Sequence, residues 1–424
     1  MKDGFLKVAA VTPKIKVGDT SFNTKSIIDA LDKAYAEGVK CLVFPELCIT
    51  SYTCQDLFFQ RALIDSALES LFEIAEASRD KKILFAVGLP ILKDGKLFNC
   101  AAVIYNGSIL GFVPKTSLPN YNEFYEARHF TPAPEENSIL RIKSKDYPFG
   151  KKLIFCCEEM DEFKFSVEIC EDLWAPCPQS NSHALAGATV IGNLSASDEV
   201  IEKDKYRLSL VANQSARLIS GYIYASAGDG ESTQDMVFSG HNIIAENGSV
   251  LKQSALFKNE MTVTELDLQK LTSERAKMST FCISESKGYE RIYFSMPIQD
   301  TPLTRFYAKA PFIPSNPDER NYRCDLILQM QAHGLKKRLE HTNSKTLVLG
   351  ISGGLDSSLA ILVCVMALDL LNRPHSDIIA VTMPCFGTTK RTKSNAEILC
   401  GALGVTFKEI DITDSVRQHF KDIG

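Results

Sequence analysis

Three apolar stretches of this sequence each end on a group suited to acyl chemistry: CLVFPE on Glu46, ILGFVPK on Lys115 and FKFSVEIC on Cys170. A thiol needs a base before it attacks a carbonyl, a carboxylate supplies one, and an ammonium steadies the oxyanion that results. Brought together, the three would break an amide through a thioester. Taken singly, each is ordinary. Cys170 is one of 13 cysteines, many of them in apolar segments where a reduced core residue is the plain reading, and Glu46 and Lys115 read equally as loop charges.

A fourth stretch, LVLGISGGLDSSLAIL from 347 to 362, reads as an apolar strand, a glycine turn and the start of a helix. After Gly350, the pair Gly353 and Gly354 lets the backbone approach a phosphate, the helix start presents free N–H groups, and Ser352 and Ser357 add hydroxyl donors. No lysine follows the glycines, which argues against the kinase-type and motor-type loop. Asp356 would repel a bare phosphate, so it either holds Mg²⁺ or caps the helix.

These groups need elements to carry them. Strand and helix patterns alternate from Leu6 to about Phe257, with a helix over about 23–37, another over 60–78, and turns at KDGK, YNGS and Asn247. The pattern fades between about Leu271 and Asn321, a connecting segment either packed or flexible. A helix over about 324–340 then leads into the glycine loop, and a βαβαβ start of a parallel-sheet domain follows. The expected domains are residues 1–270, a connection over 271–320, and an incomplete domain over 321–424.

Composition narrows the rest. A net charge of −5 makes a nucleic-acid or acidic-membrane partner a poor fit. No apolar run approaches the roughly 20 residues of a membrane span, and no C-x-x-C pair or H-E-x-x-H suggests zinc. A cytoplasmic protein is expected.

The string SGGLDSS after an apolar strand resembles the pyrophosphate loop of the ATP pyrophosphatase superfamily, which implies that Gly350, Ser352, Gly353, Gly354, Asp356 and Ser357 bind ATP and its leaving pyrophosphate. The order Glu46, Lys115, Cys170, with FPELCITSYTCQDLF, GFVPKTSLPNYNEFYEARHF and VEICEDLW around them, resembles the nitrilase superfamily. The two together resemble the glutamine-dependent NAD⁺ synthetase family. That resemblance implies an α/β chain, an N-terminal nitrilase-like αββα sandwich followed by the start of a Rossmann-like parallel α/β ATP-pyrophosphatase domain.

It also implies roles. Glu46 would be the general base, Cys170 the nucleophile and Lys115 the oxyanion partner, with Glu126 as a second acid that orients Lys115 or, alternatively, forms a surface ion pair. Tyr52, Tyr121, Ser197 and Lys203 would bind glutamine; packing aromatics and a helix cap at Ser197 are the plainer readings. Ammonia from glutamine would amidate deamido-NAD⁺, with ATP as co-substrate, Mg²⁺ offsetting phosphate charge, and a homo-oligomer as the assembly. Lys390, Arg391 and Lys393 would belong to a basic lid or to a plain solvated loop. The rivals are a glutamine-fed ligase or amidase acting on another substrate, and a non-catalytic assembly subunit of nitrilase fold.

Overall fold

The alternating segments build two sheets packed face to face. The computed structural model describes residues 1–282, 287–386 and 390–424, the side chains of 390–394 excepted. The chain divides into two compact units, Met1–Phe306 and Tyr307–Gly424.

In the first unit β1 (Phe5–Val11) leads to helix α1 (Thr20–Ala36), β2 (Cys41–Val43) and helix α2 (Arg61–Ala77). Then come β3 (Leu84–Lys93), β4 (Lys96–Tyr105), β5 (Ser108–Pro114), the single turn α3 (Glu126–His129), β6 (Ser138–Ile142) and β7 (Lys145–Phe149). The second half runs through β8 (Leu153–Cys157), β9 (Lys164–Ile169), α4 (Glu171–Trp174), α5 (Gln179–Leu185), β10 (Val190–Ser195), α6 (Lys203–Leu218) and β11 (Gly221–Ser226). It closes with β12 (Ile243–Glu246), β13 (Ser249–Gln253), β14 (Met261–Asp267), α7 (Leu268–Lys277) and β15 (Glu290–Phe294).

One sheet has eight strands in the order β14-β1-β2-β3-β4-β5-β7-β6, the other seven in the order β13-β12-β11-β10-β9-β8-β15. Alternate side chains along β1 show how the layers stack. Leu6, Val8 and Ala10 join the core between the sheets, whereas Ala9 and Val11 face α1 and α2. On the other side, Ile191, Tyr222 and Tyr224 pack under α4, α5 and α6. Helices, sheet, sheet and helices form the αββα sandwich.

The stretch 271–320, read from its pattern as a connection, does more than connect. β15 pairs in parallel with β8 as an edge of the second sheet. Of its sequence, ERIYF, only Phe294 is buried, so no inward-outward alternation marks it as a strand. Farther on, Glu265 accepts the backbone N–H groups of Thr304 and Arg305, and the Arg305 guanidinium pairs with Glu246.

The second unit holds α8 (Pro317–Thr342), β16 (Leu347–Gly350), α9 (Leu355–Asp369), β17 (Ile378–Thr382), α10 (Lys390–Leu403), β18 (Thr406–Glu409) and α11 (Thr413–Ile423). Helix α8 begins earlier than its apolar pattern predicts, because the Asn316 side chain caps it and Pro317 sits in its first turn. The three strands form a parallel sheet in the order β16-β17-β18. Residues 387–389 and the side chains of Lys390, Arg391 and Lys393, expected as a lid or loop, lie outside the described residues. Among the described residues no helix is long and apolar enough to cross a membrane.

Candidate active site

Glu46, Lys115 and Cys170 each follow a strand, and the sandwich brings the three strand ends to one place. Glu46 lies just past β2, where its chain presses on β3 at Gly88; a Cβ there would stand 2.2 Å from the Leu47 nitrogen. Lys115 follows β5 and donates its backbone N–H to the Asn99 carbonyl at 2.8 Å. Cys170 follows β9 on a sharp turn with φ 43° and ψ −100°, leading straight into α4. Such a backbone is strained for a residue with a Cβ and persists only where its surroundings hold it. Its N–H bonds the Leu194 carbonyl of β10 at 2.9 Å.

The side chains form a buried network around one ammonium. Lys115 Nζ donates to Glu46 Oε1 and to Glu126 Oε1, both at 2.6 Å, and no part of the lysine side chain reaches solvent. Glu46 Oε1 also accepts from Asn99 Nδ2 at 2.6 Å, and its Oε2 accepts the Ala196 N–H at 3.0 Å. The Tyr52 hydroxyl donates to Glu126 Oε1 at 2.9 Å, which places Tyr52 on the second acid. Glu126 Oε2 is buried without a protein partner, and Glu126 and Tyr52 line a pocket of about 20 Å³. Glu126 is thus a buried partner of Lys115, not one half of a surface ion pair.

Burial and charge together set the protonation pattern. Burial pulls the Lys115 ammonium down, but the carboxylates of Glu126 and Glu46 outweigh it and hold the pKa well above the lysine range. Glu126 is pushed up to about 8, first by burial and then by the Glu46 charge, against the pull of Lys115. Burial drives the Cys170 thiol up, Glu46 adds to this, and Lys115 opposes it. The resting thiol is therefore protonated and must lose its proton as it attacks.

Cys170 opens onto a cavity of about 520 Å³, within the usual range for small-molecule sites. Three of the four residues expected to bind glutamine, Tyr121, Ser197 and Lys203, line it, and Tyr52 does not. The Tyr121 hydroxyl donates to Glu171 at 2.9 Å. Lys203 pairs with Asp198 and lies 5.6 Å from the ring centres of Phe124 and of Trp174. Ser197 accepts from the fully buried Arg207 at 3.3 Å, and the N-cap of α6 is Glu202, so Ser197 caps no helix. The cavity thus carries an ammonium beside the carboxylates Glu123, Glu171 and Asp198, a pairing that suits a zwitterion.

The sequence reading singles out none of Asn99, Glu171, Asp172, Asp198 or Arg207. Asn99 carried a faint signal, a polar side chain inside the apolar run of β4, and Glu171 and Asp172 adjoin the nucleophile.

In the second unit the glycine loop joins β16 to α9. Gly353 takes a φ of 75°, a left-handed conformation that a side chain would strain. Ser352 and Ser357 bond within the loop, their hydroxyls 3.2 Å apart, and the Gly354 N–H donates to Ser352 Oγ at 3.3 Å. The N-cap of α9 is Gly354 and no side chain caps it, so the capping alternative for Asp356 is not what forms. Asp356 stands in the first turn of α9 beside the loop, and a single carboxylate there fits Mg²⁺ held with substrate phosphates. Among the described residues no group of three or more His, Cys, Asp or Glu side chains is placed to hold a metal ion.

Residues 7–276 match the carbon-nitrogen hydrolase family model, and residues 327–424 match the NAD synthase model. The chain is 38% identical to the glutamine-dependent NAD(+) synthetase of Mycobacterium tuberculosis, covering 99% of this chain and 64% of the relative. It is 28% identical to that of Aquifex aeolicus, over 96% of this chain and 65% of the relative. The chain thus spans about two-thirds, or slightly less, of these relatives' length. Among solved structures, a glutamine-dependent NAD(+) synthetase from Cytophaga hutchinsonii shares the fold with a TM-score of 0.56 at 22% identity, covering 99% of this chain and 67% of that one. A nitrilase-superfamily amidase from Nesterenkonia AN1 aligns with a TM-score of 0.51 at 19% identity, over 65% of this chain and 98% of its own.

Proposed function

We propose, from the premise that the chain belongs to the carbon-nitrogen hydrolase family, that its first unit hydrolyses glutamine to glutamate and ammonia. The observation that carries this reading is the buried Lys115 held between Glu46 and Glu126 behind a cysteine on a strained turn, where that cysteine opens onto a cavity lined by Lys203 and the carboxylates Glu123, Glu171 and Asp198. As Cys170 Sγ bonds the carboxamide carbon, its proton passes to Glu46, and the oxygen gains charge that Lys115 stabilises. Glu46 then returns the proton to the amide nitrogen, the C–N bond breaks, and ammonia leaves a γ-glutamyl thioester. Water attacks the thioester with Glu46 again as base, glutamate departs, and the thiol is restored. In the cavity Lys203 meets the substrate α-carboxylate, while Ser197, Tyr121 and the neighbouring carboxylates suit its α-ammonium end.

The second part of the reading places this ammonia in the ATP-dependent amidation of deamido-NAD⁺ to NAD⁺, with AMP and pyrophosphate as products. It draws on the NAD synthase match at 327–424 and on the M. tuberculosis and A. aeolicus relatives. Ser352, Gly353, Gly354 and Ser357, after Gly350, cradle the pyrophosphate, and Asp356 would hold Mg²⁺, which neutralises phosphate charge when bound. A cytoplasmic homo-oligomer completes the proposal. The test is ammonia release from glutamine by this chain and by its Cys170→Ala variant. Equal rates in the two exclude the triad, and loss in the variant alone supports it. For the second part, formation of NAD⁺ and AMP from deamido-NAD⁺ by the protein, abolished by Asp356→Ala, is the expected result.

A further inference from the structure

Lys115 and Cys170 belong to different sheets: β5 carries the lysine and β9 the cysteine. The two sheets meet through apolar side chains, a contact that resists separation yet holds no fixed directional register. The four-residue helix α4 is too short to hold the Cys170 turn by itself. Acyl chemistry, however, is sensitive to ångström-scale placement of the oxyanion partner against the nucleophile. Some polar tie must therefore cross between the sheets at this point.

The geometry points to Asp172 as the positioning residue that sets the separation of Lys115 from Cys170. Its Oδ1 accepts the backbone N–H of Ser117 at 2.6 Å and of Thr116 at 3.1 Å, the two residues that follow Lys115. Its Oδ2 accepts the N–H of Ile169, the residue before Cys170, at 3.1 Å. One carboxylate thus grips the chain next to both reacting groups, and it does so from within the turn that carries the nucleophile. The side chain is almost wholly buried, and burial raises its pKa to about 6 despite these bonds. A carboxylate kept in such surroundings is costly unless its bonds do something that a neutral residue cannot.

This inference rests on the proposed triad, and its test separates the two. Asp172→Asn keeps shape but turns an NH₂ group toward an N–H donor. The expected result for glutamine hydrolysis is a kcat lowered about 100-fold with KM changed less than about threefold. Alkylation of Cys170 by iodoacetamide should also slow, with its pH midpoint moved upward as Lys115 sits farther from the thiolate. Asp172→Glu, which keeps the acceptor on a longer arm, should give a smaller change in both, and it decides the matter alone if Asp172→Asn does not fold. An unchanged alkylation midpoint, or a raised KM with intact kcat, overturns the proposal. Because alkylation needs no glutamine, a wild-type chain that labels at Cys170 but releases no ammonia would refute the substrate reading and leave the positioning test standing.

Discussion

The triad of the first unit and the glycine loop of the second both sit at the ends of apolar strands, yet they are built in opposite ways. Glu46, Lys115 and Glu126 are almost wholly buried and bonded to one another, to Asn99, to Tyr52 and to the Ala196 N–H. In the loop, Ser352 and Ser357 bond only within the loop among the bonds described, and Leu355 beside them is 90% exposed. The difference follows from the chemistry each arrangement suits. A thioester mechanism needs charges fixed in a dry place before the substrate arrives, because water would screen them. A phosphate loop needs only free backbone N–H groups, since the ligand brings its own charge and completes the site.

That contrast can be broken in order of effect. Cys170→Ala should lower glutamine hydrolysis by at least about 10⁴-fold while glutamine still binds, as ammonia assays and calorimetric titration would show. Lys115→Met leaves Glu46 and Glu126 facing each other without a cation, so denaturant unfolding should show a loss of about 3–5 kcal/mol in the first unit. By contrast, Gly353→Ala in the open loop should cost about 1–2 kcal/mol in the second unit and leave ammonia release unchanged. The smallest effect is expected for Asp356→Ala, within about 0.5 kcal/mol in stability. If instead Asp356→Ala destabilises as much as Lys115→Met, the loop is pre-organised like the triad and the contrast fails.

A pH series sharpens the buried side of the comparison. Burial raises the Glu126 pKa to about 8 in the folded state, from the ordinary carboxyl value of 4.5. The folded state therefore holds the proton more tightly, and this contribution to stability is complete below about 4.5 and lost as pH rises through about 8. Denaturant midpoints of the wild type should fall across that window, and Glu126→Gln should flatten the fall. A wild-type midpoint that rises with pH there would contradict the protonation assigned to Glu126.

Much of this was readable along the chain, because it depends on neighbours in sequence. The turns at Asp94-Gly95, Asn106-Gly107 and Asn247-Gly248, the apolar faces of α1 and α2, and the glycine loop are all local patterns. So is the choice of Glu46, Lys115 and Cys170, since each ends an apolar strand. The mostly exposed edge strand β15 escaped, because its place is given by its partner β8 and not by its own side chains.

Sequence alone determined which reactive groups exist and that each stands at the end of a strand, for residue type and hydrophobic period are properties of short segments. Only the tertiary structure decided what they meet: Glu46 and Glu126 against Lys115, Tyr52 against Glu126, Asn99 against Glu46, Asp172 across the two sheets, and an ammonium among carboxylates in the cavity. Those pairings join residues 53, 69 and 74 positions apart. Hydrogen bonds and Coulomb forces act over a few ångströms of space, and that distance is set by how two sheets pack, which no spacing along the chain records.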